Sequence, residues 1–336
     1  MRCRWTRRSF VKGALATAGA AAAAASLEEQ LLLAQTTQPA GGASGGPTAG
    51  AQRPRLEPGS QNTLPTGQIG DMKVSRLILG GNLIGGFAHS RELVYVSQLL
   101  KHYFTEEKIM ETIQLAEAHG VNAINTNPSC TKVIQRYRKE YGSKIRWIVQ
   151  GYPTKDDRLT GVKRSIEEGA DAIYIQGNNS DRMVAAGQLD VMDEVLRHIQ
   201  AQGLPAGVGG HDLAVPTACE KAGLKVDFYV KTLHTADYFT ARRPEQPTSV
   251  VGNPHDNFWC LDAQATIEFM KTVQKPWIAY KVMAAGAIHP RKAFPFCYNN
   301  GADFVLAGMF DFQIAEDVRI AKQALESVRR DRPWRA

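Results

Sequence analysis

Hydrophobic and polar positions follow each other along this chain in a regular succession of short and long segments. The short runs are rich in β-branched and aromatic residues and have the length of buried strands. We predict eight strands, at residues 74–79, 121–126, 146–150, 172–176, 206–210, 226–233, 277–283 and 304–308.

Longer amphipathic stretches separate these runs, with apolar residues at helical spacing. They predict helices at residues 105–119, 133–141, 158–168, 189–202, 215–222, 263–273, 291–299 and 314–329. Many of them end at a glycine, which is a common signal for the end of a helix. The glycines are Gly142, Gly169, Gly203, Gly223 and Gly301.

Eight strand and helix repeats within about 260 residues are typical of a single-domain α/β fold, the (β/α)8 TIM barrel. We assign the barrel to residues 71–330, with a tail at 331–336. A doubly wound open sheet is the alternative, although it does not normally need eight parallel strands. In a TIM barrel the chemistry lies at the carboxyl ends of the strands.

The first residues have the pattern of an export signal. Arg7 and Arg8 stand in a basic stretch that precedes an alanine-rich segment, as in twin-arginine signals. We predict a twin-arginine signal peptide at 1–34, the twin-arginine translocase as a partner during export, and a periplasmic or other extracytoplasmic location. The apolar run is too short for a stable membrane anchor. Residues 35–70 are rich in Gly, Pro, Ser and Thr and predict a flexible linker.

The net charge and the cysteine spacing argue against two classes of function, nucleic-acid binding and metal binding by cysteines. The formal charge of the chain is +7 and falls to +4 without residues 1–34, which carry five basic and two acidic residues. No stripe of lysine and arginine remains, so we expect no nucleic-acid partner. The four cysteines beyond the predicted signal show no metal-binding spacing, and we expect buried thiols.

Polar residues cluster at the predicted strand ends, where they would form the mouth of the barrel. Such a mouth suits a small hydroxylated or carbonyl compound, although polar residues at strand ends also simply face water in many barrels. The candidate substrate-binding residues are Asn82, His89, Arg91, Asn125, Gln150, Gln176 and Asp311.

Several stretches resemble the aldo-keto reductase superfamily. Residues 72–81 are similar to its opening strand, residues 105–126 to its first helix and second strand, and residues 207–211 and 305–309 to its fifth and eighth strands. The resemblance covers most of residues 72–328 and implies a barrel enzyme with a nicotinamide cofactor. The catalytic Asp, Tyr, Lys and His of that family are not matched, because Asn125, Gln150 and Gln176 stand at three of the positions and the stretch 127–130 has no tyrosine.

A second, local resemblance covers about 20 residues. The segments around Lys231 and Lys281 look like the paired lysines of class I deoxyribose-phosphate-type aldolases. That resemblance implies that Lys231 forms a Schiff base and that Lys281 lowers its pKa, since only a deprotonated lysine is a nucleophile. Strand alternation allows both side chains to point inward. The alternative is that each lysine pairs with neighbouring acids.

His211 and His234 end the predicted fifth and sixth strands. Together with Asp212 or His89 they could bind a divalent metal, because catalytic zinc takes three protein ligands. Most histidines are instead hydrogen-bonded. Either histidine could also act as a proton shuttle.

We therefore predict an exported barrel enzyme that performs lyase or isomerase chemistry on a small sugar-like or carbonyl compound. Its candidate catalytic residues are Lys231, Lys281, His211 and His234. One alternative is an oxidoreductase that carries a tightly bound NAD(P). Another is a ligand-binding barrel that has no catalytic activity, because a fold does not fix a function.

Overall fold

Parallel strands close into a barrel in the computed structural model of the protein, which describes residues 55–87, 93, 95–249 and 259–336. Residues 1–54, which include the predicted signal and most of the predicted linker, lie outside the described residues. The barrel confirms the predicted TIM fold, and its strands run in chain order around the ring.

An antiparallel hairpin precedes the barrel and consists of β1 (Thr66–Ile69) and β2 (Met72–Ser75). The eight barrel strands are β3 (Leu77–Gly80), β4 (Ala123–Thr126), β5 (Arg146–Gly151), β6 (Ala172–Ile175), β7 (Ala206–Gly210), β8 (Phe228–Thr232), β9 (Trp277–Tyr280) and β10 (Phe304–Ala307). The ring closes where β10 pairs with β3. All eight overlap the predicted strands.

Helices pack around the barrel. They are α1 (Tyr95–Tyr103), α2 (Glu106–Ala118), α3 (Thr131–Tyr141), α4 (Thr160–Glu167), α5 (Gly177–Ala185), α6 (Leu189–Ala201), α7 (Ala214–Ala222), α8 (Ala263–Thr272), α9 (Pro290–Asn299) and α10 (Ile314–Glu326). Eight of them match predicted helices, whereas α1 and α5 were not predicted. Among the described helices none is both long and apolar enough to cross a membrane.

Two hydrophobic clusters form the core. One fills the barrel interior and includes Ile148, Phe228, Val230 and Ile278. The other lies between the strands and the helices. Because side chains alternate along a strand, membership of either cluster shows which way each strand residue points. The four cysteines in the described part of the chain, Cys130, Cys219, Cys260 and Cys297, are buried as free thiols.

The N-terminal end of the barrel is covered by the hairpin. Ile69, Met72 and Val74 are buried as part of the interior cluster. The first strand of the hairpin begins at Thr66, inside the stretch 35–70 for which the sequence predicts a linker. The glycine-rich composition of that stretch gave no indication that Ile69 covers the barrel end.

The segment predicted as a tail, residues 331–336, packs against the barrel. Arg332 is 2% exposed and pairs with the fully buried Asp303, at 2.6 Å between Nη1 and Oδ2. Arg330 donates to the other carboxylate oxygen at 3.2 Å. Both arginines follow α10, so the chain returns across the same end of the barrel that the hairpin covers.

Candidate active site

A buried histidine and carboxylate meet at the carboxyl ends of the strands. His211 follows β7 directly, and Asp181 lies on α5, which follows β6. The Nδ1 of His211 lies 2.7 Å from Asp181 Oδ2, and Asp181 Oδ1 accepts from the main-chain N–H groups of His211 and Asp212, each at 3.1 Å. The side chains are only 3% and 1% exposed. Because a carboxylate only accepts, Nδ1 donates, and Nε2 of the neutral ring is assigned as unprotonated.

Burial controls the protonation of this histidine. It lowers the pKa of His211 to about 4, against the opposing effect of the hydrogen bond to Asp181. The positive charges of Lys281 and Lys231 lower the pKa further. At neutral pH the ring is therefore an uncharged base that is held in one orientation.

A tyrosine hydroxyl lies beside this pair. Tyr280 shares the interior cluster with Ile278, and its ring centroid is 5.4 Å from that of His211. Its hydroxyl is buried, with no hydrogen-bond partner among the residues that the structure describes. Burial, followed by the charge of Asp181, raises the pKa of Tyr280 well above its usual value. The phenol thus stays protonated and can donate a hydrogen bond to a ligand oxygen.

Gly177 makes room for both groups. A Cβ atom at this position would lie 2.5 Å from the Tyr280 hydroxyl oxygen and 2.9 Å from Cε1 of His211. Both distances are below van der Waals contact, so the phenol and the imidazole approach the start of α5 only because residue 177 has no side chain.

Amide and phenol groups form a hydrogen-bond network that runs from Tyr174 in the barrel interior to the partly exposed Tyr152 after β5. Asn125 Oδ1 accepts from the Tyr174 hydroxyl at 3.2 Å and lies 3.4 Å from Gln150 Nε2. Gln150 Oε1 accepts from the Tyr152 hydroxyl at 2.6 Å. The structure therefore brings the predicted residues Asn125 and Gln150 together, in a network of uncharged donors and acceptors suited to hydroxyl groups.

The backbone after β9 is strained next to this site. Lys281 has φ of 55°, and Ala284 and Ala285 have φ of 46° and 59°. Left-handed conformations are costly for residues other than glycine and cluster at functional sites. The predicted strand was too long here, because β9 ends at Tyr280. Lys281 contributes its charge to the mouth from this turn.

Lys231 does not point into the barrel, contrary to the inward orientation that strand alternation allows. Phe228 and Val230 belong to the interior cluster, so Lys231 lies on the opposite face with Tyr229. Its Nζ donates to Thr232 Oγ1 at 2.8 Å. Because both faces of β8 carry buried apolar residues, the sequence pattern does not show to which face the Lys231 side chain points.

Two other predicted residues are occupied by local hydrogen bonds. His234 Nδ1 lies 2.8 Å from the carbonyl oxygen of Thr235, and its Nε2 accepts from the main-chain N–H of Cys260 at 2.5 Å. Both ring nitrogens are therefore engaged. The Oε1 of Gln176 caps α5 by accepting from the N–H of Asn179 at 3.1 Å.

Two further predicted residues, Asp311 and Asn82, follow barrel strands β10 and β3. Asp311 accepts from the Tyr103 hydroxyl at 2.6 Å and from Lys108 Nζ at 3.0 Å. Asn82 lies in the turn after β3, where its carbonyl oxygen accepts from the N–H of Phe87. His89 and Arg91 lie outside the described residues.

A metal site of the predicted kind is not formed by the described side chains. No group of three His, Cys, Asp or Glu residues within the described ranges is arranged to hold a metal ion.

Two cavities, of about 260 and 620 Å³, open at the N-terminal end of the barrel strands, and Asp227 lines both of them. Neither cavity is lined by a predicted site residue.

Asp181, Tyr280 and Gly177 were not among the predicted residues. Alternation from Ile278 could have identified Tyr280 as an inward residue. Asp181 gives a weaker signal, because its partner His211 lies 30 positions away in the chain.

Comparisons with known proteins do not assign a family. No protein-family model matches the chain, and no curated protein matches it. One similar solved structure is an N-acetylneuraminic acid (sialic acid) synthetase from Leptospira borgpetersenii serovar Hardjo-bovis in complex with citrate, at 10% identity over 79% of this chain and 90% of that chain, with a TM-score of 0.45. Another is a dihydrodipicolinate synthase from Bacillus clausii, at 12% identity over 66% of this chain and 68% of that chain, with a TM-score of 0.42. Neither is an aldo-keto reductase, and neither is similar enough to support an argument about function.

Proposed function

We propose that this barrel is a lyase or isomerase that moves a proton on a small hydroxylated carbonyl compound, with His211 as the general base. The observation that carries the proposal is the buried Asp181–His211 pair beside the buried hydroxyl of Tyr280. A base, the group that orients it and a hydrogen-bond donor then converge at the carboxyl ends of the strands, where TIM barrels perform their chemistry.

The proposed step is proton abstraction next to a carbonyl group. Nε2 of His211 takes a proton from the carbon beside the carbonyl, and the electron pair moves onto the carbonyl oxygen to give an enolate. Tyr280 donates a hydrogen bond to that oxygen, and the charge of Lys281 favours the anion. In the isomerase version the proton of the neighbouring hydroxyl group moves to the former carbonyl oxygen, and His211 returns its proton to the former carbonyl carbon, which gives the isomer. In the lyase version, written in the direction of bond formation, the enolate carbon attacks the carbonyl carbon of a second molecule, and His211 returns its proton to the oxygen of that carbonyl group; cleavage is the reverse.

The polar interior supports a substrate with hydroxyl groups. Asn125 and Gln150 offer amide groups, and Tyr152 and Tyr174 offer phenols, all linked in one network. We propose that these groups bind substrate hydroxyls. Export remains part of the proposal, on the strength of the Arg7-Arg8 signal in the sequence.

Deuterium exchange tests the reaction class even while the substrate is unidentified. The full-length protein is incubated in D2O with a panel of small hydroxyaldehydes and hydroxyketones, and proton NMR follows each carbon-bound hydrogen. We expect exchange beside the carbonyl group for at least one compound with the wild-type protein. Turnover that requires added or co-purified NAD(P), without exchange, would contradict the proposal and favour an oxidoreductase. Binding without exchange would favour a ligand-binding barrel.

Gly177→Ala tests the close approach of the two side chains. The added methyl group displaces the Tyr280 hydroxyl or the His211 ring, and a displacement of about 1 Å can reduce a rate about 100-fold. We expect a loss of that order in the exchange rate, with the far-ultraviolet circular dichroism unchanged. The matched control is Gly161→Ala on α4, where an added Cβ meets no atom within 4 Å and the exchange rate should stay the same. Equal rates for both variants would show that Gly177 does not shape the site.

A further inference from the structure

Lys231 is almost completely buried, although lysines are rarely buried without a specific role. It is 2% exposed, and because Phe228 and Val230 point into the barrel, strand alternation places it on the outer face of β8. Its position therefore prevents direct contact with a substrate inside the barrel. Any contribution to the site has to pass through neighbouring groups.

A directed chain of hydrogen bonds links this lysine to His211. Lys231 Nζ donates to the hydroxyl of Thr232 at 2.8 Å and to its carbonyl oxygen at 3.2 Å. The Thr232 hydroxyl lies 3.1 Å from the carbonyl oxygen of His211. A carbonyl oxygen only accepts, so the single hydroxyl proton of Thr232 is donated to His211, and the Thr232 oxygen accepts from Lys231 Nζ. The backbone of the histidine is thereby held from the side opposite Asp181.

Electrostatic interactions are a second connection between Lys231 and the His211 site. Burial lowers the pKa of Lys231, while the neighbouring Cys260, Asp181 and Asp212 act in the opposite direction. Asp181 is the same carboxylate that binds Nδ1 of His211. The charged groups acting on His211 are therefore Asp181 from α5, Lys231 from β8 and Lys281 from the turn after β9, with Tyr280 as the neutral neighbour.

We propose that Lys231 is a positioning residue, which fixes His211 through the Thr232 hydroxyl and balances the charge of Asp181. This inference rests on the proposed role of His211 as the base. It replaces the Schiff-base role that the sequence suggests for Lys231, because the amine faces away from the interior and is bound to Thr232.

Histidine NMR tests the inference independently of turnover. The full chain, with its eight histidines labelled with 15N, is titrated with acid, and the His211 signal is assigned by its loss in His211→Gln. In Lys231→Met we expect the pKa of His211 to rise by about 1 unit, because a nearby positive charge is gone. Thr232→Val should broaden or shift the same signal, and Thr232→Ser should restore it. Lys271→Met, at the surface of α8, is the matched control and should change nothing.

The outcomes separate this inference from the proposed function. An unchanged pKa and tautomer of His211 in Lys231→Met, with normal deuterium exchange, would overturn the inference alone. A borohydride-trapped substrate adduct on Lys231 would also overturn it, since the lysine would then be a nucleophile. Full exchange activity in His211→Gln would instead overturn the proposed function, while the NMR result still reports whether Lys231 acts on His211.

Discussion

Replacing His211 with glutamine is expected to reduce the deuterium-exchange rate by about 100- to 10,000-fold, the usual contribution of a positioned general base. Glutamine is polar and close in size to histidine, but it cannot take a proton at neutral pH. The fold should survive, because the glutamine amide can still donate to Asp181. The measurement is the NMR exchange rate at saturating substrate, with circular dichroism to confirm folding.

Asp181→Asn extends this prediction to the orienting group. The amide can offer the imidazole Nδ1 a donor instead of an acceptor, which favours the wrong tautomer. We expect a smaller but clear loss, together with a changed 15N pattern for His211. His102→Gln, on the exposed side of α1, is the control. Less than a threefold effect of His211→Gln would exclude this histidine as the base.

Replacing Asp303 with asparagine is expected to lower the free energy of unfolding by about 3–5 kcal/mol, because removing one partner of a buried ion pair leaves the other charge uncompensated. Asp303 is fully buried and accepts from Arg332, from Arg330 and from the main-chain N–H of Trp277 at 2.9 Å. Asparagine preserves the size of the side chain, so the change isolates the charge. Urea unfolding followed by tryptophan fluorescence gives the free energy.

Asp331→Asn is the matched control for that experiment. Asp331 lies between the same two arginines in the chain, but its side chain is 89% exposed and its pair with Lys271 spans 3.6 Å. Exposed pairs contribute at most about 1 kcal/mol, so this variant should unfold close to the wild type. If the two variants unfold at the same urea concentration, Asp303 does not anchor the C-terminal segment.

The sequence predicts the barrel well because strand and helix periodicity are local properties. The sequence predicts secondary structure less well where a segment has no strong local preference for helix or strand. The segment that becomes α5 begins with five weak helix formers, Gly177-Asn178-Asn179-Ser180-Asp181, and the Gln176 side chain caps the helix that forms there. The hairpin of β1 and β2 was missed because residues 66–69 fall in the predicted linker and the single predicted strand 74–79 spans a break, since β2 ends at Ser75 and β3 begins at Leu77.

The candidate site was predicted as a region but not as a set of contacts. Asn125, Gln150 and His211 were expected at the mouth from their places at strand ends. The partnership of His211 with Asp181 depends on how α5 packs against β7, and the direction of Lys231 depends on which face of β8 is inside. Both are tertiary properties that a strand-length pattern cannot determine.

The way in which this barrel closes has a consequence for the order of events during synthesis. β3 can pair with its second neighbouring strand only after β10 has been synthesised. The two arginines that neutralise Asp303 are synthesised after β10. A nascent chain that has emerged only as far as β9 is therefore an open sheet with two unpaired edges, which are prone to aggregation. Closure has to await the synthesis of β10, so we expect the growing chain to depend on chaperones until β10 and the two arginines have emerged from the ribosome.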